Sequence, residues 1–165
     1  MATTEQISNY IDRTNIGDLL TKYFFAVDDK HLDLTIVKAT FTIDAKIIRP
    51  NGSATVGHDN IFDGHQKSFA RFKATHHVIT DYIVNITDNT AILRANLTAM
   101  HLWADSTENP SLNGKHFLAG AVLVAKATKV DNNWQISELT NHNVWRTGEG
   151  MNEMANYERS KTENS

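Results

Sequence analysis

The sequence predicts an α+β domain: three N-terminal helices packed on one face of a strongly curved antiparallel sheet. Two observations predict it. Up to Phe72 the apolar residues recur mostly at helical spacing, with one strand interposed, and beyond that point the period changes to alternation over four long runs. Helices first and strands afterwards is the order in which helices cover a single face of an antiparallel sheet. A curved sheet capped in this way leaves a concave cavity suited to a small ligand.

The first helix is read from Thr4 to about Val27, because Ile7, Tyr10, Ile11, Ile16, Leu19, Leu20, Tyr23, Phe24 and Val27 share a helical period; Asn15 and Gly17 are its weakest points. After the polar DDKH, LDLTIVKATF makes a short second helix. TIDAKIIRP reads as a strand ended by the turn PNGS, and Gly57 precedes a third helix, HDNIFDGHQKSFARF, with Ile61, Phe62, His65, Phe69 and Phe72 along one side. THHVITDYIVNI and TAILRANLTAMHLW then form a hairpin about TDN, with Ala91, Leu93, Ala95, Leu97 and Ala99 on one face. The polar loop ADSTENPSLNG leads to a fourth long run, KHFLAGAVLVAKATKV, and DNN turns the chain into WQISELTNHNVW. One domain, 1–146, is expected, followed by a polar tail, 147–165, as a loose helix or a disordered end.

Composition narrows the chemistry. A net charge of -3 over 165 residues offers no basic surface for nucleic acid. No apolar run is long enough to span a bilayer, and MATTEQISNY lacks the basic and apolar regions of a signal peptide, so a cytoplasmic protein is expected. The absence of cysteine removes disulfides, thiol nucleophiles and thiolate metal sites. GxGxxG, P-loop, HExxH and GxSxG motifs are missing, so no cofactor and no metal are predicted. Eight histidines remain as the main acid/base reservoir.

Asp28 lies four residues after Phe24 and eight after Leu20, which places it on the inward stripe at the helix end, while Asp29 points about 100° away. A carboxylate at a helix C-terminus opposes the macrodipole and wants a cationic or donor partner. KATHHVITDY offers one. Alternation sends His76 and His77 to opposite faces but does not choose between them. For His77 to lie over the Ala91–Ala99 face, hairpin partners must sum to an even number, which an odd-length loop supplies and a two-residue turn does not. His116 opens the fourth long run on the face of Leu118, Gly120 and Val122. His101, beside Trp103, and His142 read as surface residues, and His58 and His65, seven apart with Lys67 nearby, read as helix surface.

These patterns resemble the SnoaL-like branch of the nuclear transport factor 2-like superfamily, whose members form an α+β cone. Within that branch the chain is similar to the scytalone dehydratase group. The likeness covers roughly residues 5 to 146 and rests on YFFAVDDKHLDL, FTIDA, ATHHVITDYIVNITDNTAILRA and KATKVDNNWQISEL. It implies a catalytic set of Asp28, His77 and, as the nearest match to a second histidine, His116. Tyr23, Phe24, Trp103, Phe117 and Trp145 are expected to line the pocket. The tyrosine that the dehydratases carry before their aspartate is Val27 here, which argues for a different substrate. The implied activity is cofactor-independent dehydration, isomerisation or cyclisation of a small hydrophobic ring or polyketide-like compound, in a homodimer or homotrimer. Two alternatives accompany it: a non-catalytic binding or assembly module, and epoxide hydrolysis using Arg94, whose parity opposes the Ala and Leu face.

Overall fold

The computed structural model describes residues 1–104 and 115–150. Three helices, α1 (Thr4–Asp28), α2 (Leu34–Thr40) and α3 (His58–Phe69), accompany six strands: β1 (Phe41–Ile48), β2 (Ala54–Val56), β3 (Phe72–Thr87), β4 (Thr90–Trp103), β5 (His116–Val130) and β6 (Asn133–Gly148). The strands make one curved, unclosed sheet in the order β2-β1-β6-β5-β4-β3. Every neighbouring pair is antiparallel except β1–β6, because three successive reversals from β3 onward deliver β6 beside β1 running the same way. Three details differ from the sequence expectation. The short strand β2 forms after the turn closed by Arg49 N–H and Ser53 O at 2.9 Å. Phe72 opens β3 instead of continuing α3, and β6 runs on to Gly148; the tail beyond residue 150 lies outside the described residues.

Helix α1 starts with a capping box: Thr3 Oγ1 accepts from Gln6 N–H at 3.2 Å, and Gln6 Oε1 accepts from Thr3 N–H at 2.9 Å. It continues unbroken through Asn15 and Gly17. Its inward stripe is buried only from Ile16 onward, through Leu20, Tyr23, Phe24 and Val27, whereas Ile7, Tyr10 and Ile11 face solvent. Asp12 ties the outer half to the sheet by accepting from Trp134 Nε1 at 2.8 Å and Lys129 Nζ at 3.0 Å. No helix among the described residues is long and apolar enough to cross a membrane.

Several register shifts interrupt the sheet, and two of these β-bulges decide which candidate site residues face the helices. The β3–β4 turn is a two-residue one, with Thr87 opposite Thr90, and by itself it would put His77 on the outer face. Between Thr80 and Ile83, however, β3 carries an extra residue, and Asp81 takes a left-handed backbone (φ 57°). Aspartate tolerates that conformation, and its Oδ2 accepts from Asn96 Nδ2 at 2.8 Å. The register slips by one, so His77 pairs with Ala99 on the inner face and His76 with Met100 on the outer. The parity that the sequence required is thus supplied by a bulge and not by the loop.

The second bulge lies in β6, where Gly120 pairs with Trp145 but Ala121 pairs with Asn143. Val144 is the extra residue. An unbroken alternation from Leu139 through Asn141 and Asn143 would point Trp145 inward; the bulge turns Trp145 out and brings Arg146 in. The Trp145 indole packs against Gly120, where a Cβ would lie 2.2 Å from Nε1.

Candidate active site

A cavity of about 200 Å³ opens between α1, α3 and the inner sheet face. It exists because the central strands are lined there by Ala99, Ala119 and Ala121, whose short side chains leave space that Leu93 and Leu123 fill deeper in the core. Phe24, Phe69, Phe72, Phe117 and Leu97 supply apolar walls.

Asp28 and His77 meet at the wall of this cavity. Asp28 ends α1 on the stripe of Leu20 and Phe24, and it accepts three hydrogen bonds: from His77 Nδ1 at 2.6 Å, His77 N–H at 2.7 Å and Thr75 Oγ1 at 2.7 Å. A carboxylate can only accept, so the imidazole carries its proton on Nδ1 and Nε2 is the free ring nitrogen. The His77 side chain is only 4% exposed, with the Phe24 ring 4.8 Å away. Burial by itself would raise the Asp28 pKa. The His77 ring, through its hydrogen bond and charge, the His77 backbone N–H and the Thr75 hydroxyl together outweigh it and hold the carboxyl below its ordinary range.

Two further histidines share the cavity. His101 has the inward parity of Ala99 and Leu97; its ring stacks on Phe117 at 4.1 Å and meets His77 edge-on at 5.4 Å. Its Nδ1 is buried without a partner. Burial first, then the charge of His77, opposed by Asp28 and reinforced by Arg146 and Arg71, lowers its pKa to about 3. His65 stacks on Phe69 at 4.9 Å, and its Nδ1 lies 2.7 Å from the Tyr23 hydroxyl. Burial, then Arg49 and His77, brings it likewise to about 3. The Tyr23 phenol is pushed up by burial, against the influence of Arg49. Both rings are therefore neutral hydrogen-bonding groups at physiological pH.

The expected site is brought together in part. Asp28, His77, Tyr23, Phe24 and Phe117 converge. His116 does not: it starts β5 exposed, on the outer-face parity, one residue from the inward Phe117, so the second histidine of the cavity is His101. Trp103 packs behind the lining on Phe72 and Phe117, with Nε1 donating to Glu149 O at 3.1 Å. Trp145 is displaced outward by the β6 bulge. His65 and His101, expected at the surface, line the cavity instead. The available signals were the i, i+4 spacing of His65 with Ile61 and Phe69, and the odd-numbered alternation that carries Ala91–Ala99 on to His101.

Helices over one face of a curved, unclosed sheet, with a cavity beneath them, define the nuclear transport factor 2-like and cystatin-like class. The chain belongs to the SnoaL-like family, whose domain model matches residues 9–140. Solved structures share the fold. A provisionally named scytalone dehydratase from Novosphingobium aromaticivorans is 16% identical, with a TM-score of 0.71 over 84% of this chain and 88% of that one. A hexachlorocyclohexane dehydrochlorinase from Novosphingobium barchaimii is 14% identical, with a TM-score of 0.73 over 86% and 92%. A nuclear transport factor 2-like superfamily protein from Salmonella enterica is 16% identical, with a TM-score of 0.70 over 86% and 97%. No curated protein matches in sequence.

Proposed function

We propose that the protein is a cofactor-independent acid/base enzyme of the dehydratase, isomerase or cyclase type, acting on a small hydrophobic ring compound. The observation that carries this reading is the 2.6 Å contact between Asp28 and His77 Nδ1 at the wall of an apolar cavity. Asp28 fixes the tautomer and stabilises the imidazolium as it forms, so Nε2 acts as the base toward a C–H next to a carbonyl. In this reading neutral His101, edge-on to His77, donates a hydrogen bond to the substrate oxygen, as a neutral imidazole can where an imidazolium is excluded. The family and the dehydratase and dehydrochlorinase neighbours support an elimination or proton-transfer chemistry. A purely structural module would be better served by a filled core than by a cavity lined with three histidines.

The test needs no natural substrate. Hydrogen–deuterium exchange at the α-carbon of cyclohexanone or a hydroxylated analogue, followed by proton NMR in deuterated water, should be accelerated by the protein and lost in His77→Gln. Exchange at the buffer rate, or full activity in that variant, would overturn the assignment.

The outer sheet face presents Val78, Met100, Val144 and Trp145, each more than two-fifths exposed. Apolar surface grouped in this way favours self-association as a homodimer or homotrimer. Sedimentation of Met100→Glu and Trp145→Glu should show dissociation to monomers.

A further inference from the structure

We propose that the cavity takes a ring compound bearing a carboxylate, with the ring against the phenylalanines and the carboxylate held at the mouth by Arg49 and Arg146. This deepens the reading above and rests on it for the identity of the cavity as the substrate site.

The charge distribution is the first ground. The chain as a whole is net negative, yet Arg49, Arg71 and Arg146 all line this cavity, and no aspartate or glutamate is among its described lining residues. Asp28 stands behind His77, committed to the imidazole and Thr75. Partly buried guanidinium groups are normally matched by carboxylates or phosphates, and the planar fork suits a bidentate oxyanion. Among the described residues neither Arg49 nor Arg146 has a carboxylate partner: Arg146 Nε donates to Asn143 Oδ1 at 3.0 Å, and Arg49 makes hydrogen bonds through its backbone.

Placement is the second ground. Both arginines also border an open vestibule with Asn141 and Asn143, so they stand where cavity and solvent meet. Arg49 arrives at the end of β1, whereas Arg146 is there only because the β6 bulge exchanges it for Trp145. The buried Asn141 Oδ1 has no partner and is available to a ligand hydroxyl.

Size completes the argument. An apolar cavity of roughly 150 Å³ accepts benzene, so about 200 Å³ admits one substituted ring. With the anion at the mouth, the ring carbons lie toward His77 and His101.

Calorimetric titration of the full chain with benzoate, its neutral isostere benzamide and acetate tests the proposal. Benzoate is expected to bind about ten-fold more tightly than benzamide and acetate. Arg49→Gln and Arg146→Gln should each abolish the preference for benzoate over benzamide without weakening benzamide, and Arg49→Lys should keep part of it. Circular dichroism checks that the variants are folded. Equal binding of benzoate and benzamide, equal binding of acetate and benzoate, no detectable binding of any probe, or a preference that survives both glutamine variants would each overturn it. His77→Gln should retain the benzoate preference, so the catalytic reading can fail while the anion site stands, and the reverse.

Discussion

Acidification should destabilise this fold within a window set by His65 and His101. Both rings have native pKa values of about 3, against 6.5 for the unperturbed side chain. Below pH 6.5 the unfolded chain therefore binds more protons than the native state, and stability falls as pH falls. The native rings stay neutral until about 3, so the loss per ring is RT ln(1 + 10^(6.5−pH)), with 6.5 the unfolded value. That amounts to about 0.4 kcal/mol near pH 6.5 and about 2 kcal/mol near pH 5. Two rings together lose about 4 kcal/mol by about pH 5, a large share of the roughly 5–15 kcal/mol that holds a domain together. Asp28 acts outside this window: its lowered pKa makes a contribution that is present above 3.8 and is lost only below it. The assay is urea unfolding followed by tryptophan emission at about pH 8, 6.5 and 5, comparing the wild type with His101→Phe. Phenylalanine keeps a ring stacked on Phe117 but cannot titrate, so about half of the pH dependence should disappear. Equal unfolding free energies at the two extremes, or an unchanged dependence in His101→Phe, would refute the reasoning.

Asp28→Asn should reduce turnover roughly 100-fold or more by losing the carboxylate that orients His77 and stabilises its charge, measured by the same ketone exchange. Asp28→Ala should in addition cost about 2–4 kcal/mol in urea unfolding, because the Thr75 hydroxyl and the His77 N–H lose their acceptor. Gly120→Ala should expel the Trp145 indole, which a Cβ would meet at 2.2 Å, and shift tryptophan emission to longer wavelength with little loss of stability. Gly148→Ala should be more damaging, about 1–3 kcal/mol by urea titration: φ is +113° there, and a Cβ would lie 2.5 Å from the His116 carbonyl oxygen, which belongs to rigid backbone.

Most of the architecture was legible because periodicity reports the local environment. The 3.6-residue stripe through Leu20, Phe24 and Val27 carried Asp28 to the cavity side of α1, and alternation from Ala91 to Ala99 marked the inner face of β4. The same two rules also contained His65 and His101. Those rules do not single them out, because a histidine at a helix surface and one on an inward stripe look alike until the neighbouring elements are in place.

What alternation could not supply was its own interruption. An inserted residue in a strand reverses every side chain beyond it, and nothing in TDYIV or HNVWR by itself specifies that Asp81 adopts a left-handed backbone or that Val144 goes unpaired. The amino-acid order alone determined the layered fold, the inward carboxylate and the histidine pair from which its partner is drawn. Only the packed sheet selected His77 over His76, His101 over His116 and Arg146 over Trp145, because facing depends on register between strands, and register is settled by long-range pairing and bulges.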